Sequence, residues 1–276
     1  MPKLDVTYLS TEEKLAVLDK MPLGTLLTFP GHQMMYLGRT ESGYYVVSAV
    51  SSIMSPNTGK RQRTRDVQIN TLDLRRANGM TWVAALDHIY IPWQYLADGA
   101  ESPMPSLPWY HTGTAYCLEH KLIDADDGGY FRPSEAVMRG VAVETLWRMA
   151  DKPEADGAEG FPDVESGASY AAAALWAKEQ GIVNGDDGAF RADAALTREQ
   201  LAVMLYRMFA AEESNDAMGR YADAGEVSDW ARTAMGWAVG NRLITGRSET
   251  TIDPQGIVTR AELAVIVQRV CVSHGA

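Results

Sequence analysis

The second half of the chain alternates apolar and polar positions with the period of an α-helix. Two segments, "LTREQLAVMLYRM" (196–208) and "VTRAELAVIVQRV" (258–270), each place four apolar residues on one stripe. The stripes consist of Leu201, Met204, Leu205 and Met208 in the first segment and of Leu263, Ile266, Val267 and Val270 in the second. They predict two helices, each buried along one side.

Both predicted helices have a capping motif at their start. Thr197 with Gln200, and Thr259 with Glu262, fit the capping box. In that motif a Ser or Thr and a Glu or Gln three residues later satisfy each other's backbone N–H groups. The motif predicts that each helix begins at its threonine.

The first half has the pattern of β-strands. Residues 24–50, "GTLLTFPGHQMMYLGRTESGYYVVSAV", predict strands broken by a Gly-containing turn at "TESG" (40–43). Residues 71–87 predict the end of a strand and a short amphipathic segment. These elements are typical of a small antiparallel α+β domain.

Charge divides the 276-residue chain where these patterns change. Residues 1–100 carry 10 Lys and Arg against 9 Asp and Glu, and residues 101–276 carry 15 against 27. The change coincides with "DGAESPMPSLP" (98–108), a proline-bearing stretch that predicts an interdomain linker. The acidic second half argues against nucleic acid as a partner, because binding it requires clustered Lys and Arg.

An internal repeat organises the second half. Segments 122–149, 182–208 and 243–270 align, and each predicts one unit of helix, turn, loop and helix. Their arginines, spaced by 59 and 62 residues, are Arg139, Arg198 and Arg260. A cation in the first helical turn faces the positive end of the helix dipole, which disfavours it by about 0.3–1 kcal/mol if it is exposed.

Two explanations of the repeated arginines remain open at this point. Free N–H groups at a helix N-terminus, together with a guanidinium group, form a site for a carboxylate or a phosphate. Alternatively, each arginine pairs with an aspartate of a neighbouring repeat. The sequence favours neither explanation.

Two of the segments resemble S-layer homology (SLH) repeats, and the first repeat resembles them more weakly. The resemblance rests on the Thr-Arg-Ala-Glu signature at Arg260, on the related Thr-Arg-Glu-Gln at Arg198 and on an upstream Phe/Tyr-x-Asp. It implies SLH repeats at residues 109–158, 159–215 and 219–276, folded into an all-α module with pseudo-threefold symmetry. Members of the family bind cell-wall polysaccharide non-covalently, often a polymer with pyruvylated amino sugars. The ketal carboxylate of such a sugar fits the anion expected beside the arginines.

The resemblance also implies which residues bind the ligand. The expected ligand-binding residues are Arg198, Arg260, Arg139, Asp163, Asp223, Tyr170, Trp230, Gly185 and Gly246. Repeat 1 departs from the pattern, because Met138 stands where the capping threonine belongs and Val141 where the glutamate belongs. We therefore expect the groove of Arg139 to be degenerate and the other two arginines to carry the binding.

Residues 1–100 resemble the C-terminal half of the NlpC-type cell-wall peptidases, papain-like cysteine hydrolases that cut peptidoglycan stem peptides. "PGHQMMYLG" (30–38) carries this resemblance, which implies that His32 is a general base and that Ser48 occupies the orienting position. The two cysteines, Cys117 and Cys271, lie outside this domain, and none precedes His32. A base without a nucleophile cannot run covalent acyl transfer, so we interpret His32 as a relic.

These patterns predict a non-enzymatic, monomeric cell-surface protein that combines a small antiparallel α+β domain with an all-α SLH module. The alternative is a truncated form of a wall-anchored NlpC-type cysteine peptidase. The expected partner is a secondary cell-wall polysaccharide or a peptidoglycan-linked glycan, with no nucleic acid, cofactor or metal. The N-terminal residues lack the apolar core of a secretory signal, and no apolar run is long enough to cross a bilayer. An extracellular, wall-bound location is therefore implied by the family alone.

Overall fold

The structure, a computed structural model, describes residues 3–54, 61–76, 78–91, 108–126, 131–155, 159–209 and 217–274. The chain divides into two compact units, the first comprising Met1–His111 and Ala125–Phe131 and the second Thr112–Asp124 and Arg132–Ala276. The first unit contains an antiparallel sheet and the second is helical, so the α+β class is confirmed. The predicted linker at 98–108 lies outside the described residues except at residue 108.

The first unit is built on a six-stranded antiparallel sheet. Its elements are β1 (Lys3–Asp5), α1 (Thr11–Leu18), β2 (Leu26–Phe29), β3 (His32–Thr40), β4 (Gly43–Met54), β5 (Arg61–Thr71), α2 (Trp82–Ala85) and β6 (His88–Tyr90). The strands lie in the order β1-β6-β2-β3-β4-β5. The strands predicted over residues 24–50 are therefore β2, β3 and β4, and the predicted break at "TESG" is the turn between the last two.

A second tight turn, which is not predicted from the sequence, precedes β3. It pairs Phe29 with His32 across Pro30 and Gly31. Gly31 has φ 84°, the left-handed region that glycine adopts without steric cost. This turn places His32 at the first position of its strand.

The core of the first unit lies between one face of the sheet and the two helices. Its fully buried centre contains Val6, Leu18, Leu27, Val46, Ile89 and Ile91. Lys14 of α1 is buried beside them, and its Nζ donates to the carbonyls of Ala84, at 2.7 Å, and Leu86, at 2.8 Å. Burial lowers the pKa of Lys14 to about 8. These bonds tie α1 to the C-terminal end of α2.

The described part of the second unit contains three helix pairs. Its helices are α3 (His111–Glu119), α4 (Arg139–Met149), α5 (Ala171–Glu179), α6 (Arg198–Phe209), α7 (Arg232–Gly240) and α8 (Arg260–His274). Three short 3₁₀ helices precede α7, at Met218–Arg220, Ala224–Glu226 and Asp229–Ala231.

The capping boxes predicted for α6 and α8 are both present. Gln200 N–H donates to Thr197 Oγ1 at 3.3 Å, and the Gln200 side chain accepts from Thr197 N–H at 3.2 Å. Thr259 and Glu262 exchange the same two bonds at 3.2 and 2.8 Å. Met138, at the start of α4, makes no side-chain cap. The predicted helix starts are confirmed.

The segments that enter α4, α6 and α8 meet in a closed ring of backbone hydrogen bonds. Val137 N–H donates to Val258 O at 2.8 Å, Val258 N–H to Leu196 O at 2.9 Å, and Leu196 N–H to Val137 O at 2.9 Å. Each of the three residues is buried and lies two positions before the first residue of its helix. The ring therefore joins all three repeats at one point of the core.

Candidate functional site

The three repeated arginines are the first residues of α4, α6 and α8, but their surroundings differ. Arg198 is 3% exposed, and its guanidinium donates to Ile252 O at 2.9 Å, Thr245 O at 2.6 Å and Glu262 Oε1 at 3.0 Å. All three acceptors belong to the next repeat. Arg198 is therefore a buried connection between repeats, which differs from the expectation that it faces a ligand.

Arg260 and Arg139 use the same type of contact and remain partly exposed. Arg260 donates to Asp124 O at 2.6 Å, and Arg139 Nε donates to Phe190 O at 2.9 Å. The two terminal nitrogens of Arg139 make no hydrogen bond to any described residue. Of the three arginines, Arg139 thus presents a guanidinium edge to the adjoining cleft.

The helix N-termini do not form the anion sites that the sequence suggested. The N–H groups of Arg139, Arg198 and Arg260 donate to the carbonyls of Ala194, Gly256 and Glu135 at 2.9–3.0 Å. The next N–H group of each helix is likewise bonded, to Ala192, Pro254 and Pro133. Because loop carbonyls of a neighbouring repeat occupy these donors, an anion cannot use these first two N–H groups in any of the three helices.

The two expected aspartates stabilise loops of their own repeats. Asp163 accepts from the N–H groups of Phe190 at 2.8 Å and Arg191 at 2.7 Å. These two backbone bonds hold the pKa of Asp163 below its ordinary value. Asp223 makes the equivalent pair of bonds to the N–H groups of Ile252 and Asp253, at 2.9 and 2.7 Å. Both carboxylates are thus structural clamps within this structure.

The two expected glycines are required by close approach of the backbone. A Cβ at Gly185, which has φ 77°, would lie 2.9 Å from Ala189 O and 2.9 Å from the ring of Phe161. A Cβ at Gly246 would lie 2.8 Å from Thr251 O. Any larger residue would displace the loop at either position.

The two expected aromatic residues have different roles. Tyr170 is half-buried and packs against Phe190, with ring centroids 6.2 Å apart, and against Gly140 at the start of α4. Trp230 is 60% exposed. Only Trp230 of this pair offers a broad indole face to solvent.

Trp230 lines a cleft of about 580 Å³ together with residues of repeats 1 and 2. This volume lies within the 300–1,000 Å³ that is usual for small-molecule sites. The polar side chains along the cleft are Arg139, Asn184, Asp186, Arg191, Gln200 and Arg207. Arg191 forms a 2.7 Å ion pair with Asp186, and Arg207 donates to Ile182 O at 3.0 Å. Three arginines and one carboxylate give the cleft a positive local charge within an acidic unit.

A buried glutamate positions Trp230. Glu199 is 4% exposed, and its carboxylate accepts from the N–H of Ser228 at 3.0 Å and from the Ser228 hydroxyl at 2.9 Å. Ser228 precedes the 3₁₀ helix that carries Trp230. Glu199 of α6 therefore fixes the indole beside the cleft.

Glu199, Arg191 and Arg207 also belong to this site and are not among the residues expected from the sequence. Arg207 had a detectable signal, because Arg148, Arg207 and Arg269 repeat with the same spacing as the first set of arginines. Arg191 lies at φ 56°, and nothing in its sequence context marks that backbone conformation.

A smaller cleft of about 110 Å³ occupies the corresponding place beside Arg260. There Arg148 binds two carboxylates across the opening, Asp124 at 2.6 Å and Glu144 at 2.5 Å. Its volume is below the usual range for a ligand site. The cleft beside Arg139, the groove expected to be degenerate, is thus the larger of these two described clefts.

In the first unit, His32 lies between two aromatic rings. Its ring centroid is 5.1 Å from that of Phe29 and 5.0 Å from that of Trp82, and its buried Nε2 has no hydrogen-bond partner among the described residues. Burial, followed by the positive charge of Arg76, lowers the pKa of His32. The imidazole is therefore neutral at neutral pH.

Ser48 does not orient His32 in this structure. Its buried Oγ has no hydrogen-bond partner among the described residues, so the orienting bond inferred from the sequence is not formed. Both cysteines belong to the second unit and are buried, and burial raises the pKa of Cys117 to about 12 and also raises that of Cys271. Buried thiols with raised pKa values are poor nucleophiles.

Two segments of the helical unit are similar to a known family of domains. Residues 160–202 and 220–264 each match the S-layer homology domain. These segments contain α5 with the first turn of α6, and α7 with the first turn of α8. Two segments of the second unit are thus similar to the S-layer homology domain.

Particular relatives resemble about half of the chain. The Surface-layer 125 kDa protein of Lysinibacillus sphaericus is 32% identical over 152 residues, which cover 54% of this chain and 13% of that protein. Exoglucanase XynX of Acetivibrio thermocellus is 32% identical over 142 residues, 50% of this chain and 13% of the enzyme. The Cellulosome-anchoring protein of Acetivibrio thermocellus is 24% identical over 151 residues, 51% of this chain and 33% of that protein. The chain therefore spans a small part of the length of these relatives.

Among the described helices, none is long and apolar enough to span a membrane.

Proposed function

We propose that the second unit binds an anionic cell-wall glycan in the cleft between Arg139 and Trp230, and that this contact holds the protein at the cell surface. The S-layer homology segments support a role in wall attachment, as do relatives that are named for the surface layer and for anchoring. The ring of backbone bonds that joins the three repeats supports a pseudo-threefold module.

The proposal is based on one observation. The exposed indole of Trp230 lines the same cleft as three guanidinium groups. The face of an indole packs against the apolar face of a sugar ring. The terminal nitrogens of Arg139 donate charge-assisted hydrogen bonds to a carboxylate on the same sugar. A pyruvylated amino sugar combines both groups, and it is the ligand we propose.

The acidic character of the second half does not prevent this binding. Long-range repulsion between the chain and an anionic polymer is screened over about 8–10 Å at physiological salt. Within that distance the three arginines of the cleft determine the local potential.

We propose that the first unit does not hydrolyse peptide bonds. The neutral imidazole of His32 has the protonation state of a base, but both thiols of the chain are buried in the other unit. On this proposal, the resemblance to NlpC-type peptidases reflects common ancestry of the fold and not a shared activity. The alternative is that the chain is a truncated form of such a peptidase. Muropeptide release by the purified chain that disappears in His32→Ala would favour the alternative.

Wall sedimentation tests the binding proposal. The full chain is mixed with purified walls of Lysinibacillus sphaericus, before and after their phosphate-linked glycans are removed with hydrofluoric acid. We expect the chain to sediment with intact walls only, and Trp230→Ala to remain in the supernatant. Trp109→Ala is the matched control, because Trp109 is similarly exposed, at 66%. Equal sedimentation of Trp230→Ala and the unmodified chain would contradict the proposal.

A further inference from the structure

Arg139 and Arg260 each line a cleft, and at the corresponding groove beside Arg198 a side chain of the protein itself lies across the surface. Arg247 donates from Nε to Glu262 Oε1 and from Nη2 to Glu262 Oε2, both at 3.0 Å. It also bonds to Ile257 O at 2.6 Å and to the carboxylate of Asp253. These four hydrogen bonds hold the guanidinium across the groove, against the first turn of α8.

In the Arg139 groove, the two positions that correspond to Arg247 and Asp253 carry the opposite charges. Asp186 stands where repeat 3 has Arg247, because each follows the loop glycine, Gly185 or Gly246. Arg191 stands where repeat 3 has Asp253, and both adopt the same backbone conformation, with φ 56° and 53°.

The helix residue that faces the groove explains why one groove is open and the other filled. Glu262 is only 12% exposed and is bound by Arg198 and Arg247. Gln200, its counterpart, is neutral and completes the capping box without attracting a cation. A buried carboxylate is stabilised by a paired positive charge. The ion pair with Glu262 therefore holds Arg247 in the groove beside Arg198.

From these contacts we propose that Arg247 is a built-in plug and that, of the three grooves formed by the described residues, the Arg139 groove alone binds an anionic glycan. The proposal rests on the proposed function above and adds its stoichiometry. In the filled groove Glu262 repels an anion and Arg247 occupies the space of the sugar. In the Arg260 groove the remaining volume of about 110 Å³ is too small for a sugar ligand.

A single site has a consequence for attachment. A chain with two or three occupied grooves would gain avidity from a repetitive polymer, since the second binding event becomes intramolecular. A chain with one groove gains none. Its attachment to a wall polymer then depends on one occupied groove at a time.

Exchanging three residues between the grooves tests the proposal. Arg247→Asp, Asp253→Arg and Glu262→Gln together give the filled groove the residues of the open one. Asp186→Arg, Arg191→Asp and Gln200→Glu together do the reverse. Each set already exists in a folded repeat of the same chain, which favours folding of both variants. Circular dichroism is recorded first to verify the helical content.

Calorimetric titration of the full chain with a methyl glycoside of a pyruvylated N-acetylhexosamine counts the sites. We expect one site in the unmodified chain, two in the first triple variant and none in the second. Two or three sites in the unmodified chain would overturn the single-site proposal while leaving the proposed function intact, as would binding by the folded second variant. If the unmodified chain binds walls in sedimentation but not this probe, the proposed sugar is wrong. If it binds neither, the proposed function fails.

Discussion

Arg198 and Glu262 form an ion pair of 3.0 Å between the second and third repeats, with the arginine almost fully buried. Two more hydrogen bonds connect the same guanidinium to backbone carbonyls of repeat 3. The arginine signature that indicates a binding site in the sequence therefore stabilises the packing between repeats in this structure.

Replacing Arg198 with Met should destabilise the second unit. The change leaves Ile252 O and Thr245 O without their donor and removes one of the two cations that pair with Glu262. Removing one partner of a buried ion pair typically costs about 3–5 kcal/mol. Thermal unfolding of the full chain measures this loss of stability. The glycan affinity per folded molecule should equal that of the unmodified chain. A loss of affinity without a loss of stability would instead make Arg198 a ligand-binding residue.

Replacing Gly246 with Ala should also destabilise the module. The new Cβ would lie 2.8 Å from Thr251 O, a fixed backbone atom, so the loop must shift. Such overpacking typically costs about 1–3 kcal/mol. Gly219→Ala in the same repeat is the matched control, because nothing lies within 4 Å of its Cβ position. Equal melting temperatures for the two variants would show that Gly246 is not constrained by packing.

Acid should loosen the loop of repeat 2 through Asp163. Because its pKa in the folded chain is below the ordinary value of 3.8, its stabilisation is complete above that value and is lost as the pH falls through the lowered pKa. Hydrogen exchange of the Phe190 and Arg191 amides, which donate to this carboxylate, reports the loss directly. The Ala189 amide bonds to a backbone carbonyl and is the internal control. Protection of the first two amides that does not change between pH 5 and pH 2 would contradict the clamp.

Much of the helical unit could be predicted from the sequence, because its signals are local. The apolar stripes and capping boxes identify α6 and α8, and the starts of both helices are as expected. The exposure of Arg139 and the burial of Arg198 could not be predicted, since they depend on residues about 50 positions away along the chain. The same applies to Arg247, whose position is set by the charge of Glu262 in another segment.

The short strands of the first unit are harder to predict from the sequence than its long strands. The strands over 24–50 follow from alternation, whereas β1 and β6 contain three residues each and have too little pattern to detect. The buried Lys14 is also invisible to the sequence, because its acceptors lie on α2, 70 and 72 residues away.

The stability of the first unit should rise with pH through Lys14. Burial lowers its pKa to about 8 from an ordinary value of 10.5, so the unfolded chain binds a proton in this interval that the folded chain does not. The free energy of unfolding then increases between pH 8 and 10.5, by about 3 kcal/mol. Denaturant titrations of the unmodified chain and of Lys14→Met at pH 7 and pH 10 isolate the effect. An identical pH dependence in both proteins would contradict it.

The central claim is that the glycan binds beside Arg139, in the groove that the sequence marks as degenerate. It is tested most directly by titrating the full chain, Arg139→Gln and Arg260→Gln with solubilised wall glycan and comparing affinity per folded molecule. We expect Arg139→Gln to bind the glycan roughly 10- to 100-fold more weakly. This loss is equivalent to about 1.5–3 kcal/mol, the range for a hydrogen bond to a charged group. We expect Arg260→Gln to bind with the affinity of the unmodified chain. A loss confined to Arg260→Gln would contradict the account and return the binding site to the groove of the sequence signature.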